Sequence, residues 1–321
     1  MSNPFKSFVK TLIPRSWNTE IQEYLSLPGQ LAKTKQKLNE TIRLLEESER
    51  RVKNLSTLIL SEKYPELQER RSPKTDLNSR EFKLYSQYGE DGILLYIFSK
   101  IGTTNRRFVE FGIQDGRECN SANLSLNFGW EGLLMEADED FFNAAKRYYQ
   151  KMLGQQADRV KIDRCLVTAE NINEKLVENG IEGEIDLLSI DIDSNDYWVW
   201  KAISVISPRV VVVEYNASLG DEAALTVKYE PVFDRFEKHP TGFYHGASLA
   251  AFTKLAKVKG YRLVGCDSYG VNAFFAREDV AADKLAEVTV KEAYYPSYIR
   301  VQRYSQQEQW EVVKSLDFEG V

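Results

Sequence analysis

Apolar and polar residues alternate along residues 80–280 in blocks that predict strands and helices in turn. Five short runs are apolar almost throughout, as in strands buried on both faces of a sheet: RFVEFG, EGLLMEA, RVKIDRCLV, IDLLSIDID and RVVVVEYN. Segments such as EDFFNAAKRYYQKML and TAENINEKLVENG lie between them and have apolar residues at helical spacing. This alternation predicts an α/β fold with a mostly parallel sheet and helices on both faces.

The end of this region departs from the alternation. SLAAFTKLAKVKG predicts a helix, and YRLVGC and VNAFFAR, joined by the turn DSYG, predict an antiparallel hairpin that closes the sheet. Residues 281–321 form a C-terminal extension, in which SQQEQWEVVKSL predicts a further helix. The predicted architecture of residues 80–280 is therefore a Rossmann-like sheet with a C-terminal antiparallel hairpin.

Residues 1–27 contain apolar positions at helical spacing among basic ones. The apolar positions are Phe5, Phe8, Val9, Leu12 and Ile13, and the basic ones are Lys6, Lys10 and Arg15. A short basic amphipathic helix of this kind lies either on an anionic membrane surface or against a protein. Peripheral membrane contact is therefore one of two interpretations of this segment.

Residues 28–72 predict a long helix with a heptad repeat. Apolar residues recur every seven positions, at Leu31, Leu38, Leu45, Val52 and Ile59. The second seam, at Lys35, Ile42, Glu49 and Ser56, is mostly polar. No glycine or proline interrupts the chain from Gln30 to Tyr64. The pattern favours a coiled coil that makes the protein a homo-oligomer, and the alternative is a solvated helix lying on the main domain.

Composition narrows the class of protein. The chain has 321 residues and a net charge of −6, which gives no global argument for a nucleic-acid partner. Cys119, Cys165 and Cys266 are too far apart to suggest a zinc site or a disulfide framework. No apolar run reaches a membrane span of about 20 residues, and the N-terminus lacks a signal-peptide pattern. We expect a cytoplasmic protein, either free or at the inner face of the membrane.

The segment FVEFGIQDG is the first candidate for chemistry. Glu110, Gly112 and Gly116 follow the spacing E-x-G-x-x-x-G where the first strand ends. Ligands of open parallel sheets bind at the carboxyl ends of strands, and a glycine there lets the backbone approach a ligand. The second strand ends at Glu136, where an acid accepts hydrogen bonds from ribose hydroxyls or simply ends a strand, with Asp138 as the second choice. The dinucleotide fingerprint G-x-G-x-x-G and the P-loop are both absent from the sequence.

These features together resemble the class I S-adenosylmethionine-dependent methyltransferases. More narrowly, SQYGEDGIL, FVEFGIQDGRECNSANL and LLSIDIDSNDYWVW resemble the FkbM-type methyltransferases of glycan and natural-product clusters. The likeness extends roughly from Tyr85 to Arg277. It implies S-adenosylmethionine as the cofactor and an O-methyltransferase whose acceptor is a hydroxyl of a saccharide or glycolipid intermediate.

The resemblance also implies roles for individual residues. Glu110 would face the methionine amino group, Gly112 and Gly116 would shape the turn, and Glu136 would hold the ribose. The remaining cofactor contacts would be Cys165 and Leu166 beside the adenine, Gln87, Asn120 and Ser121 over the methionine end, and Asp191. FkbM-type chains commonly have D-x-E-G after the fourth strand, whereas this chain has Asp191-Ile192-Asp193-Ser194. The substrate side of the site therefore departs from the family pattern.

Polar residues at the ends of the fourth and fifth strands predict where a proton is removed. Asp191 and Asp193 end the fourth strand, and Glu214 and Asn216 end the fifth. The arrangement resembles magnesium-dependent O-methyltransferases, which implies Asp191, Glu214 and Asn216 as Mg²⁺ ligands and Asp193 as the base. Alternatively, Asp191 contacts the cofactor and Glu214 only caps a strand.

His245, in GFYHGASL, is either a base, a substrate contact or an ordinary loop histidine. Two other functional classes compete with a methyltransferase. One is a non-catalytic scaffold or binding module in which the coiled coil matters most. The other is a dehydrogenase on the same architecture, which the missing dinucleotide fingerprint disfavours.

Overall fold

The structure is a computed structural model that describes residues 15–63 and 74–321. It divides into two compact units, Met1–Leu60 and Ser61–Val321. Residues 1–14 of the predicted basic amphipathic segment and residues 64–72 of the predicted coiled-coil segment lie outside the described residues.

The first unit contains the predicted long N-terminal helix, which is confirmed. Helix α1 spans Arg15–Lys63 and is 49 residues long. It begins before Gln30 and continues through Pro28 and Gly29, because helix propagation along its long flanks offsets the hydrogen bond that an internal proline removes. Glu47 lies within ion-pair distance of Arg43 and Arg51, at 3.6 and 3.9 Å.

The second unit is built on a seven-stranded sheet with the order β3-β2-β1-β4-β5-β8-β7. Its strands are β1 Arg107–Phe111, β2 Glu131–Glu136, β3 Val160–Arg164, β4 Gly183–Ile190, β5 Ile206–Glu214, β7 Tyr261–Cys266 and β8 Asn272–Arg277. Strands β1 to β5 pair in parallel, and β8 is antiparallel to both β5 and β7. The predicted fold class, a mostly parallel sheet with a C-terminal antiparallel hairpin, is confirmed.

Helices connect these strands. They are α2 Glu90–Ile101, α3 Ala122–Phe128, α4 Glu139–Leu153, α5 Ile172–Glu178, α6 Asp196–Ala202, α7 Arg235–Lys238, α8 Leu249–Val258, α9 Glu278–Ala281, α10 Val290–Ala293, α11 Tyr298–Val301 and α12 Gln306–Val313. Helix α4 coincides with the segment EDFFNAAKRYYQKML that the apolar spacing predicted. In residues 15–63 and 74–321, no helix combines the length and the apolar character needed to cross a bilayer.

The sheet separates two apolar cores. Along β1, Phe108 belongs to one core, whereas its neighbour Val109 belongs to the other. Leu134 and Leu133 divide in the same way along β2. Successive side chains of a strand point to opposite faces, so strands that are apolar throughout fill both cores.

A buried acid fixes the amino end of β4. The carboxylate of Asp186 accepts hydrogen bonds from the backbone amides of Thr104, Asn105 and Arg106, at 3.0, 3.0 and 2.6 Å. Arg209 of β5 lies 3.4 Å away and balances its charge. Asp186 therefore joins the loop before β1 to the middle of the sheet, at the end opposite to the candidate site.

The C-terminal extension belongs to the same compact unit as the sheet. Its last strand, β9 Phe318–Gly320, pairs antiparallel with β6 Leu225–Val227. The hydroxyl of Tyr294 donates to the carbonyl of Ala217 at 2.7 Å. The extension thus packs against the loop that follows β5, and it brings α11 close to the candidate site.

Candidate functional site

A cavity of about 320 Å³ lies at the carboxyl ends of β1 to β4. Its walls come from Gly112 and Gln114 after β1, from Met135 to Asp138 and Phe141 around the end of β2, from Cys165 to Val167 after β3, from Asp191 to Asn195 after β4, and from Pro231 and Phe233. The volume is at the lower end of the range for small-molecule sites. Of the predicted site residues, the cavity brings together Gly112, Glu136, Cys165, Leu166, Asp191 and Asp193.

Gly112 is needed where β1 approaches β4. Its φ angle is +74°, and a Cβ there would lie 1.6 Å from the carbonyl oxygen of Asp191. The sequence suggested that this glycine makes room for a ligand. The structure adds that it first makes room for the neighbouring backbone, which forms the cavity wall. Gly116 also has a positive φ, of +75°, and packs against Tyr149.

Glu136 is held in a fixed orientation at the end of β2. One carboxylate oxygen accepts from the backbone amide of Gln114 at 2.7 Å, and the other accepts from that of Asp138 at 2.9 Å. Each oxygen keeps a second lone pair, so the carboxylate can still accept two hydroxyl groups. The side chain of Asp138 instead caps α4, accepting from the amide of Phe141 at 2.9 Å.

Glu110 has a different position from the one that the resemblance implied. It is buried, and its oxygens accept from the backbone amides of Asn120 and Ser121 at 2.8 and 2.9 Å and from the hydroxyl of Ser121 at 2.5 Å. Burial raises its pKa. Glu110 therefore organises the loop before α3 and does not line the cavity, because its carboxylate is occupied within the protein.

Four other predicted cofactor-binding residues also lie outside the cavity wall, and Gly116 is one of them. The side-chain amide of Asn120 donates to the hydroxyl of Ser189 at 3.1 Å, and Ser121 bonds to Glu110. Gln87 is exposed, and its carbonyl accepts from Lys83 at 2.5 Å. The structure therefore places these residues in the loops beside the site.

Four acids gather where β4 and β5 end. Burial, followed by the charges of nearby carboxylates, raises the pKa of both Asp191 and Glu214; the charge of Asp191 adds to the rise at Glu214, whereas a hydrogen bond with Glu214 lowers the pKa of Asp191. Asp193 forms an ion pair with Arg235. Asp196 accepts from the amides of Ile192 and Ser194 at 2.9 and 3.0 Å, and burial raises its pKa to about 6. Neighbouring buried carboxyls oppose each other's ionisation, so Asp191 and Glu214 titrate as a linked pair.

His245 is buried beside this pair, and its protonation follows from its neighbours. Nε2 lies 2.8 Å from the guanidinium of Arg300, and Nδ1 lies 4.0 Å from the carboxylate of Glu214. A guanidinium only donates, so Nε2 accepts and Nδ1 carries the proton. Burial lowers the pKa of His245, and the positive charges of Arg300 and Arg235 lower it further. The predicted role of His245 as a base is corrected, because its acceptor nitrogen is already occupied.

These contacts bear on the predicted Mg²⁺ site of Asp191, Glu214 and Asn216. Ligand atoms of Asp193, Glu214 and His245 lie within 4.8 Å of one another. However, the side-chain oxygen of Asn216 accepts from the amide of Ser218 and from Arg300, at 3.0 and 2.9 Å, which uses both of its lone pairs. The proton on His245 blocks that nitrogen as a ligand.

Charge gives a second argument against the metal. Arg235 and Arg300 already supply two positive charges beside Asp193 and the pair of Asp191 and Glu214. The predicted Mg²⁺ site therefore does not fit this arrangement, because Asn216 has no lone pair left for an ion and the two arginines already place positive charge beside the acids.

We expect Arg300→Met to raise the pKa of His245, because the variant removes the guanidinium charge and frees Nε2 to accept a proton. The chain has only two histidines, so their ring signals can be followed separately in an NMR pH titration. His239, whose Nδ1 lies 2.9 Å from the hydroxyl of Thr241, provides the second ring signal from which that of His245 is told apart. An unchanged curve for His245 would contradict the protonation state inferred here.

Comparisons with known proteins identify similar structures only. No family model and no curated protein matches the chain. An O-methyltransferase from Bacillus cereus in complex with SAH is 14% identical, with coverage of 68% of this chain and 95% of that chain and a TM-score of 0.39. Magnesium protoporphyrin IX methyltransferase from Synechocystis PCC 6803 with bound SAM is 11% identical, with coverage of 59% and 77% and a TM-score of 0.38. Likenesses this remote carry no argument about the activity of this chain.

Proposed function

We propose that the chain is an S-adenosylmethionine-dependent O-methyltransferase that acts on a hydroxyl of a saccharide or glycolipid intermediate. The cavity at the carboxyl ends of β1 to β4 is the observation that carries the proposal. The strand order β3-β2-β1-β4 sets its walls side by side, from Leu166 through Glu136 and Gly112 to Asp191. Three strand spacings span about 14 Å, which suits an extended nucleoside with an aminoacyl arm.

The side chains along the cavity wall favour one orientation of the cofactor, with its base near Leu166 and its sulfonium near Asp191. Phe141 and Leu166 are 45% and 52% exposed and offer apolar surface to a flat base. Glu136 offers its two free lone pairs to the ribose diol. Asp191, at the far end, places acidic groups where the sulfonium cation would lie.

The acids at the ends of β4 and β5 provide a base that accepts the proton of the substrate hydroxyl. S-adenosylmethionine supplies an electrophilic methyl group when it is bound. We assign the base to the ionised member of the Asp191–Glu214 pair, since its raised pKa makes it a stronger base than an ordinary carboxylate. This carboxylate would take the proton of the acceptor hydroxyl as its oxygen accepts the methyl group that bound S-adenosylmethionine would supply, with S-adenosylhomocysteine as the other product.

This assignment differs from the base that the sequence indicated. The Asp193 carboxylate is engaged by Arg235 of α7, so its oxygen is less available to a hydroxyl proton. In the proposal, Asp193 positions Arg235 and the segment around it at the cavity mouth. The proposed mechanism uses no metal ion, because the side-chain oxygen of Asn216 is already occupied and Arg235 and Arg300 supply positive charge beside the acids.

Apolar side chains beside the cavity favour an acceptor with an apolar part. Pro231 and Phe233 line the wall, and their neighbours Val232 and Phe236 are 74% and 59% exposed. A glycolipid intermediate has both the hydroxyl and the apolar portion that such a rim would contact. Activity in the cytoplasm, at the inner face of a membrane, would suit this acceptor.

We expect titration calorimetry to detect micromolar binding of S-adenosylmethionine and S-adenosylhomocysteine, with no difference between buffers with and without Mg²⁺. Glu136→Ala should weaken binding about 10- to 100-fold, since it removes two hydrogen bonds to a charged acceptor. Glu139→Ala is the matched control, because Glu139 lies three residues away, is exposed, pairs with Arg164 and does not line the cavity.

Three results would contradict the proposal. Absence of binding to the folded chain in every buffer would exclude the cofactor. Equal losses in Glu136→Ala and Glu139→Ala would show that the end of β2 does not hold the ribose. Binding only in the presence of Mg²⁺ would return the acids at β4 and β5 to the role of metal ligands.

A further inference from the structure

Helix α1 exposes an apolar stripe along its described length. We define the α1 seam as Leu31, Leu38, Ile42, Leu45, Val52 and Ile59, which are between 45% and 71% exposed. Six large apolar side chains in one line are more than a solvated helix needs, and exposed stripes of this kind mark association surfaces. The spacing of the seam is that of heptad a and d positions.

Polar side chains occupy the opposite face of α1. Glu47 forms ion pairs there with Arg43 and Arg51, at the f, b and c positions of the same heptads, and the side chains of Glu47 and Arg51 are only 12% and 16% exposed. This division is typical of a helix that packs against a second helix through its seam and faces away from it with its charges. The polar residues within the seam then determine which helix fits.

Two exposed charged residues interrupt the seam at a positions, Lys35 and Glu49. In a parallel, in-register pair of α1 helices, each would face its own copy, which creates one lysine layer and one glutamate layer. Like charges in facing positions destabilise a coiled coil, whereas opposite charges stabilise it. An anionic lipid surface is also disfavoured, because Glu49 lies within the apolar stripe.

We infer that the partner of the α1 seam is the α1 seam of a second copy of this chain, packed antiparallel. In this arrangement Ile42 packs in one layer with Leu45 of the second copy, and Lys35 packs with Val52. Glu49 of the second copy then lies one layer from Lys35. The two-fold axis repeats this contact. The antiparallel dimer therefore has two contacts between opposite charges, whereas a parallel dimer has two layers of like charges.

The charge-swap experiment uses the full chain and sedimentation equilibrium. The unmodified chain is expected to be a dimer. Lys35→Glu alone and Glu49→Lys alone should each weaken the dimer about tenfold, because each creates two like-charge contacts. The double variant should restore the dissociation constant to within about threefold of the unmodified chain. Both positions are exposed, so the second unit is not expected to be affected.

The orientation is tested by spin labels in the same dimer. Thr57→Cys lies at an exposed b position, and the centre of the antiparallel pair falls between Arg43 and Leu44. The two labels would be about 40 Å apart in the antiparallel dimer and about 15 Å apart in a parallel one. The three natural cysteines are buried, and the chain without the added cysteine gives the background labelling.

Each alternative outcome overturns the inference. Labels about 15 Å apart, or single swaps that leave the dimer unchanged, would indicate a parallel pair. A monomer at all concentrations would exclude self-association, and a monomer that binds anionic phospholipid vesicles through the seam would assign the seam to a membrane.

Discussion

Asp191→Asn is expected to lower the rate of methyl transfer about 10²- to 10⁴-fold, the usual effect of losing a general base. Asparagine has nearly the same shape as aspartate, so the cavity should keep its affinity for S-adenosylmethionine within a few fold. In the unmodified enzyme, the rate should rise with pH through the raised apparent pKa of the Asp191–Glu214 pair, because the base works only after one member of the pair has lost its proton.

The same substitution should make the fold more stable at neutral pH. A carboxyl whose pKa is raised on folding binds its proton more tightly in the native state than in the unfolded state. Its contribution to the free energy of unfolding therefore falls as pH rises from the unfolded pKa, about 4, to the folded one. The asparagine side chain lacks the charge that burial and the carboxylates of Asp193 and Asp196 oppose, so a gain of about 1 kcal/mol is expected at pH 7 and little gain at pH 3.

Asp193→Asn is the control that separates the two candidate bases. Asp193 also lines the cavity but is paired with Arg235, so its loss should cost less than tenfold in rate and should not stabilise the fold. The rate is measured as S-adenosylhomocysteine formation with the best acceptor from a saccharide and glycolipid panel, and stability by thermal melts at both pH values. A large rate loss in Asp193→Asn alone would restore the base that the sequence indicated.

The strands, the main helices and the part of the cavity wall at the ends of β1 and β2 could be predicted from the sequence, because each depends on residues that are close together in the chain. EDFFNAAKRYYQKML gives its helix through apolar spacing alone, and E-x-G-x-x-x-G places Gly112 at a strand end where any ligand of a parallel sheet must pass. Glu136 was found in the same way, since the length of a strand–helix–strand unit determines where the second strand ends.

The electrostatics of the site could not be predicted, because their partners are distant in sequence. Arg300 reaches Asn216 across 84 residues and His245 across 55, through an extension with no recognisable motif. In the sequence, where the position of Arg300 is unknown, His245 and Asn216 look available to bind a ligand. In the structure, Arg300 donates to both of them. Glu110 differs, since its partners lie only ten and eleven residues away, but the choice between loop amides and a ligand depends on the turn geometry.

Gly112→Ala is expected to lower the free energy of unfolding by about 3 to 5 kcal/mol, since the new methyl group would overlap the carbonyl oxygen of Asp191 and force the ends of β1 and β4 apart. Gly102→Ala is a matched control, because Gly102 has a φ angle of +73° and nothing within 4 Å of the added Cβ. That variant should cost less, about 1 to 3 kcal/mol, from backbone strain alone.

The difference between the two variants isolates the contact between the strand ends. Denaturant unfolding of both gives the stability difference, and calorimetry with S-adenosylmethionine gives the effect on the cavity. Gly112→Ala should lose cofactor affinity because Asp191 moves with the backbone that the methyl group displaces, whereas Gly102→Ala should keep it. Equal stability costs would mean that Gly112 matters only for its φ angle. Lost affinity with normal stability would mean that the glycine is kept for a ligand, as the sequence alone suggested.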